Sequence, residues 1–198
     1  MRFVVIYDAC VLYPAPLRDL LLRLALTGLF AARWSGEIHH EWTRNVLARR
    51  PELADKLQRT VELMNSAVPD ALVTGHEPLI NALTLPDPDD RHVLAAAIRA
   101  GAQLIVTFNL KDFPSAQLSP FGVESVHPDA FITQQFDLHE GRIVSAARDH
   151  RRSLRSPPKS TVEYLDTLAA QGLVVTVARL RSLPMCCDVH THIVVVIR

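Results

Sequence analysis

Apolar and polar positions along the chain alternate between two rhythms, short continuous runs and longer stripes with helical spacing. "RFVVIY" at 2–7 is a β-branched and aromatic run that reads as a buried strand, with Asp8 directly after it. Residues 15–32 bring Leu17, Leu20, Leu21, Leu24 and Phe30 near one stripe and predict a helix. A second helix is expected over 36–49, where Ile38, Trp42 and Val46 recur every four residues; a third, 51–67, is opened by Pro51. "ALVTG" at 71–75 is a short strand, and 88–100 a helix closed by Gly101. "QLIVTF" at 103–108 is the clearest strand after the first, "GVESV" at 122–126 is another, and Pro128 opens a long helix reaching about residue 152.

Strands that alternate with helices predict an α/β fold, a parallel sheet with helices on both faces. In such sheets the ligand site lies beyond the carboxyl ends of the strands, which is where Asp8, Asn109 and Asp112 fall. The composition changes after Ser156. "SPPK" reads as a linker or helix entry, "STVEYLDTLAAQGL" and "VVTVARLR" as short helices, and "SLPMCCDVHTHIVVVIR" fits neither rhythm. The expected organisation is a main domain over 1–155 and a small, mostly helical extension over 156–198, without internal repeats.

With 48% apolar and 21% charged residues in 198, the chain has ordinary globular usage and enough length for a sizeable core. Its longest apolar stretches are charged or too short to span a bilayer, and the N-terminal run is interrupted by Asp8 with no cleavage site after it. Three cysteines, Cys10, Cys186 and Cys187, make a poor disulfide framework, so the cytoplasm is the simplest compartment. Lys and Arg balance Asp and Glu at 21 each, giving no global attraction to nucleic acid. Locally, residues 142–159 carry Arg142, Arg148, Arg151, Arg152, Arg155 and Lys159 against the single acid Asp149. That stretch could meet phosphates, or be a solvated helix end whose cations complement the helix dipole.

The acids in "LPDPDDRHVLAAAIRAG" divide by helical phase. Asp87 before Pro88 suits an N-cap, and Asp89 suits the first turn, where carboxylates favour the dipole. Asp90 lies three and four residues before Val93 and Leu94 and should point inward with them. An inward carboxylate needs a cation or donors. Glu41 sits at the margin of its helix's apolar face, where the alternative is a surface pair with Arg44 or Asn45; Glu37 is the reserve candidate. If Asp8, Glu41, Asp90 and either Asn109 or Asp112 converge, carboxylates about 5 Å apart repel by roughly 3 kcal/mol at an effective dielectric near 20. Such a cluster protonates or binds a cation. Oxygen-only ligands select Mg²⁺ or Mn²⁺, and zinc-like His/Cys spacing is missing beside these acids. A cation held so activates water and neutralises phosphoryl oxygens, the chemistry of phosphodiester hydrolysis.

Taken in order over about 130 residues, Asp8, "HEWTRN" with Glu41, "DPDDRHVLAAAI" with Asp90, and "VTFNLKDFP" with Thr107, Asn109 and Asp112 resemble a PIN domain. The resemblance implies a three-layer α/β/α fold and a Mg²⁺- or Mn²⁺-dependent ribonuclease like the VapC-like toxins of type II toxin-antitoxin pairs. It also implies an RNA substrate, homodimers and an inhibitory antitoxin. By it, Asp8, Glu41 and Asp90 match the principal acids, the fourth acidic position falls in "TFNLKDF", and Thr107 is a hydrogen-bonding support. Asn109 stands where many members carry an acid, with Asp112 three residues later. Ala9 and Cys10 replace a small polar pair, removing a hydroxyl or amide beside Asp8; Cys10 is expected beneath the site rather than reactive.

Further candidates are secondary. "CCDVHTH" at 186–192 could hold a soft metal; His39, His40 and His92 lie near the acids and could act as bases or be structural; Arg91 could neutralise a carboxylate or touch RNA. RNA binding is expected of Arg148, Arg151 and Arg152. The competing functions are a catalytically impaired domain that binds RNA or a partner, prompted by Asn109, and a haloacid-dehalogenase-like phosphatase. The latter needs an acid at the position of Cys10.

Overall fold

In the computed structural model, which describes residues 3–183, the first strand lies at the centre of a five-stranded sheet. β1 (Val4–Tyr7) pairs with β2 (Ala31–Ser35) on one side and β4 (Leu104–Val106) on the other. β3 (Leu72–Val73) lies outside β2 and β5 (Glu124–Val126) outside β4, every pairing being parallel. Val5, Ile6, Tyr7, Ile105 and Val106 have no solvent exposure, so the sheet centre is covered on both faces. Continuous β-branched runs are the sequence signature of such doubly buried strands. The order β3-β2-β1-β4-β5 reverses direction between β1 and β4. At that switch point Asp8 follows one strand and Thr107 the other.

The helices are α1 (Ala9–Leu12), α2 (Ala15–Leu26), α3 (Gly36–Arg49), α4 (Ala54–Ala67), α5 (Glu77–Ile80), α6 (Arg91–Ala100), α7 (Ser115–Leu118), α8 (Pro128–Ser153), α9 (Thr161–Ala169) and α10 (Val174–Ser182). α6 packs across β1, β2 and β4 through Val93, Leu94 and three buried alanines, whose small side chains permit close approach. α2 packs on α8, and Tyr7, Phe30 and Phe131 meet edge to face, with Phe30 and Phe131 centroids 5.0 Å apart. Each such aromatic pair adds about 0.5–1.5 kcal/mol beyond its buried area.

The helix expected over 15–32 is shorter and is followed by a strand. α2 stops at Leu26, the Thr27 hydroxyl donates to the Leu24 carbonyl, and Gly28 turns the chain with φ 74°. Residues 31–33 then pair with β1, and Trp34 and Ser35 with β3. "AARWS" has little intrinsic strand preference; its place between β1 and β3, with Ala32 and Trp34 unexposed, decides the outcome. Two other helices begin with a 3₁₀ turn, at Pro51–Leu53 and Pro88–Asp90, and α8 is kinked at His139.

The C-terminal helices close over α8. The Asp129 carboxylate accepts the N–H groups of Val175 and Thr176, both at 2.8 Å, and so caps the first turn of α10. Tyr164 of α9 lies 3.1 Å from His150 Nδ1. No helix among the described residues is long and apolar enough to cross a membrane. The "CCDVHTH" segment lies outside the described residues.

Candidate active site

Asp8 ends β1 and caps α1. Its Oδ1 accepts the Ala9 N–H at 2.6 Å, and its Oδ2 accepts the Thr107 hydroxyl at 2.7 Å and the Cys10 thiol at 3.0 Å. Thr107 Oγ1 in turn accepts the Asn109 N–H at 2.9 Å, and Cys10 Sγ accepts the Phe108 N–H at 3.2 Å. These contacts tie the loop after β4 to the end of β1. Only 2% of Asp8 is exposed, and burial raises its pKa; hydrogen bonds from Thr107, Cys10 and Ala9 act against that, and the charge of Glu41 adds to it. Cys10 therefore does not leave Asp8 without a donor as the sequence suggested. Burial and the Asp8 charge push its thiol pKa up, so it stays protonated and able to donate.

Asp90 closes the 3₁₀ turn that leads into α6 and is buried, as its helical phase predicted. Asp87 caps that turn by accepting the Asp89 N–H at 2.9 Å. The Asp90 carboxyl is pushed up to about 7, first by burial and then by the charges of Asp8, Asp87, Glu41 and Asp112. Its environment thus registers acids contributed by β1, α3, the turn before α6 and the loop after β4. Glu41 pairs not with Arg44 or Asn45 but with His92, its Oε2 lying 3.2 Å from His92 Nε2.

A cleft of about 420 Å³ opens over Glu41 and Asp90, with His92, His40, Arg44 and Asn109 among its other walls and Asp8 and Asp112 outside its lining. A second, of about 450 Å³, shares Glu41 and Asn109 and runs on past Tyr13, Asn45 and Arg49. Asn109 is exposed in both, while Asp112 is partly buried at the end of the following 3₁₀ turn and contributes through its charge on Asp90.

Other candidates fall elsewhere. His39 is 5% exposed, receives the Trp42 indole N–H and contacts Asn65, a core role away from the acids. Arg91 is partly buried, its Nε without a hydrogen-bond partner among the described residues. Arg148 and Arg151 are partly buried on α8, where Arg151 donates to the Lys159 carbonyl, and Arg152 is exposed. None of the three lines either acidic cleft among the described residues; the cations that do are Arg44 and Arg49. The spacing of Glu41, Asn45 and Arg49 at intervals of four was the available signal for that face.

The family model described as "PIN domain" matches residues 4–111, and one described as "VapC50 C-terminal domain" matches residues 128–182. A curated relative from Mycobacterium tuberculosis, described as "Putative ribonuclease VapC50", is 37% identical over 111 residues, covering 54% of this chain and 65% of the relative. The match thus spans less than two thirds of that relative's length. No solved structure gives a significant match.

Proposed function

The chain belongs to the PIN-domain family, and from that premise we propose that it is a metal-dependent endoribonuclease that hydrolyses RNA phosphodiester bonds. The observation that carries the proposal is the placement of Glu41, Asp90 and Asn109 around one cleft, with Asp8 tied to Thr107 at the neighbouring strand end; burial and the charges of Asp8, Asp87, Glu41 and Asp112 accordingly push the Asp90 carboxyl up to about 7. Carboxylates that raise one another in this way fit a divalent cation, which relieves the repulsion. The proposed holders are Asp8, Glu41 and Asp90, with Asn109 as a neutral oxygen ligand and Asp112 supplying charge. Their oxygen-only chemistry suits Mg²⁺ or Mn²⁺. When bound, such an ion lowers the pKa of a water and neutralises phosphoryl oxygens.

The chain's own groups have separate tasks. The Ala9 N–H, Thr107 and Cys10 hold the Asp8 carboxylate in one orientation. His92 fixes Glu41. Arg44 and Arg49 offer cations to the RNA backbone, and the Tyr13 ring, with the Arg49 guanidinium 5.9 Å from its centroid, offers a face to a base. Arg148, Arg151 and Arg152 remain proposed contacts for a longer RNA, outside the cleft.

The same reading takes the chain as the toxin of a toxin-antitoxin pair, a cytoplasmic homodimer held inactive by an antitoxin. The name of the mycobacterial relative, "Putative ribonuclease VapC50", supports the ribonuclease-toxin part of this reading. The 1–155 segment is proposed to carry the chemistry, and of the 156–198 segment the helices α9 and α10 contact α8. A phosphatase of the haloacid-dehalogenase kind fits poorly, because Cys10 stands where that chemistry needs an acid and is engaged with Asp8. A non-cleaving RNA- or partner-binding domain is favoured by the uncharged Asn109 alone. The deciding experiment is incubation of purified protein with single-stranded RNA. Cleavage that requires added Mn²⁺ or Mg²⁺ and stops on chelation is expected; calorimetry that detects no Mn²⁺ binding at millimolar metal would support the non-cleaving reading.

A further inference from the structure

Glu37 stands one helical turn before Glu41 on α3 and borders the acidic cleft. On its other side is His76, which is 1% exposed and enters α5 immediately before Glu77. Gly75, at φ 73°, makes the turn that presents His76, and Arg99 Nε donates to the Thr74 carbonyl at 3.3 Å to hold that loop. His76 Nε2 lies 3.2 Å from Glu37 Oε2, and its Nδ1 3.8 Å from Glu77 Oε1. Neither ring nitrogen has a hydrogen-bond partner among the described residues. One ligand atom from each of the three residues lies within 4.8 Å of the others.

The buried His76 ring thus has a carboxylate at ion-pair distance from each nitrogen but is aligned for a hydrogen bond with neither, which leaves its buried polar atoms incompletely satisfied. Three ligand atoms grouped within 4.8 Å and not aligned on one another leave a shared point at which their lone pairs can meet a cation. We propose that Glu37, His76 and Glu77 form a site for a divalent transition-metal ion of the Zn²⁺ class, separate from the centre built on Asp8, Glu41 and Asp90. Imidazole favours borderline cations over Mg²⁺, and two carboxylates match the double positive charge. Three protein ligands leave a coordination position for water, and the ion links α3 to α5. This site stands whether or not the chain cleaves RNA.

The test uses the full chain carrying Asp8→Asn and Asp90→Asn, stripped with chelator and titrated with Co²⁺ and Zn²⁺ in excess Mg²⁺. One equivalent is expected to bind, with cobalt absorption typical of nitrogen and oxygen ligands, and to raise the melting temperature. Adding Glu77→Gln, a change at a largely exposed side chain, should keep the circular dichroism spectrum. It should weaken that equivalent by roughly tenfold or more, the lower end of what even outer-sphere changes cost. Adding His76→Gln should do the same. An absence of bound metal, an affinity unchanged by Glu77→Gln, or a thiolate charge-transfer band assigning the metal to Cys186 and Cys187 would each overturn the proposal. Because the background lacks two acids of the proposed nuclease centre, failure of the nuclease reading does not affect the outcome.

Discussion

The Thr107 hydroxyl lies 2.7 Å from Asp8 Oδ2 across 99 residues of sequence, joining the ends of the two strands that flank the switch point of the sheet. Thr107→Val keeps the shape and removes the donor. It should lower Mn²⁺ affinity and cleavage by about 10- to 100-fold, while Thr107→Ser restores both. Single-turnover cleavage and calorimetric Mn²⁺ titration of the two variants check this. Equal activity in Val and Ser forms would remove Thr107 from the site.

Asp90 makes the metal-free protein sensitive to pH. Its folded-state pKa is raised, to about 7, above an unfolded value of about 4. Below the lower value the group is neutral in both states; between the two, only the folded state keeps the proton, so stability falls as pH rises through that window. Chelator-treated wild type should therefore lose thermal stability from about pH 4 to about pH 7, and Asp90→Asn should lose less. Above pH 7 the variant should melt higher, each ~1 kcal/mol appearing as about 2–4 °C. Melting curves with identical pH dependence would contradict this origin of the shift.

The positions of the cations make the salt dependence of RNA binding a test of where RNA lies. Arg44 and Arg49 line the two acidic clefts, whereas Arg142 donates to the Thr27 carbonyl and sits with Arg23 and Asp149 in a groove of α2 and α8. Replacing Arg44 and Arg49 with Gln should flatten the slope of log affinity against log salt by about 1.4 for a short single strand. Replacing Arg148, Arg151 and Arg152 should leave that slope unchanged for a short RNA and flatten it only for a longer one. The reverse ranking on a short RNA, read by fluorescence anisotropy, would move the binding path to α8.

Asp129 supplies two 2.8 Å bonds to the first turn of α10 while 8% exposed. Asp129→Ala should cost about 1–2 kcal/mol, the range for losing such a cap. That corresponds to a melting temperature lower by about 2–8 °C for a chain of this size. Thermal denaturation followed by circular dichroism measures it, and an unchanged midpoint would show that the C-terminal helices are held by other contacts.

What the sequence made legible follows from burial. β1 and β4 are covered on both faces and so carry continuous β-branched runs, while β2 is "AARWS" and becomes a strand through pairing with β1. Asp90 was readable because α6 has one strong apolar stripe that fixes its phase. The partner of Glu41 was not, since His92 is 51 residues away and only the meeting of α3 and α6 brings them together. The arginines of α8 drew notice as a contiguous run; Arg44 and Arg49 are dispersed along α3 and emerge only once the clefts are formed. Cys10 was read as a lost donor because residue type alone does not reveal that its thiol reaches Asp8.

The most direct test of the nuclease reading is single-turnover RNA cleavage by wild type and Asp90→Asn, purified identically, in saturating Mn²⁺. A hydrolytic centre built on Asp8, Glu41 and Asp90 predicts cleavage by the wild type and a rate at least roughly 100-fold lower in the variant, about 2.7 kcal/mol of lost transition-state stabilisation, with an unchanged circular dichroism spectrum. Equal cleavage by the two proteins would contradict it.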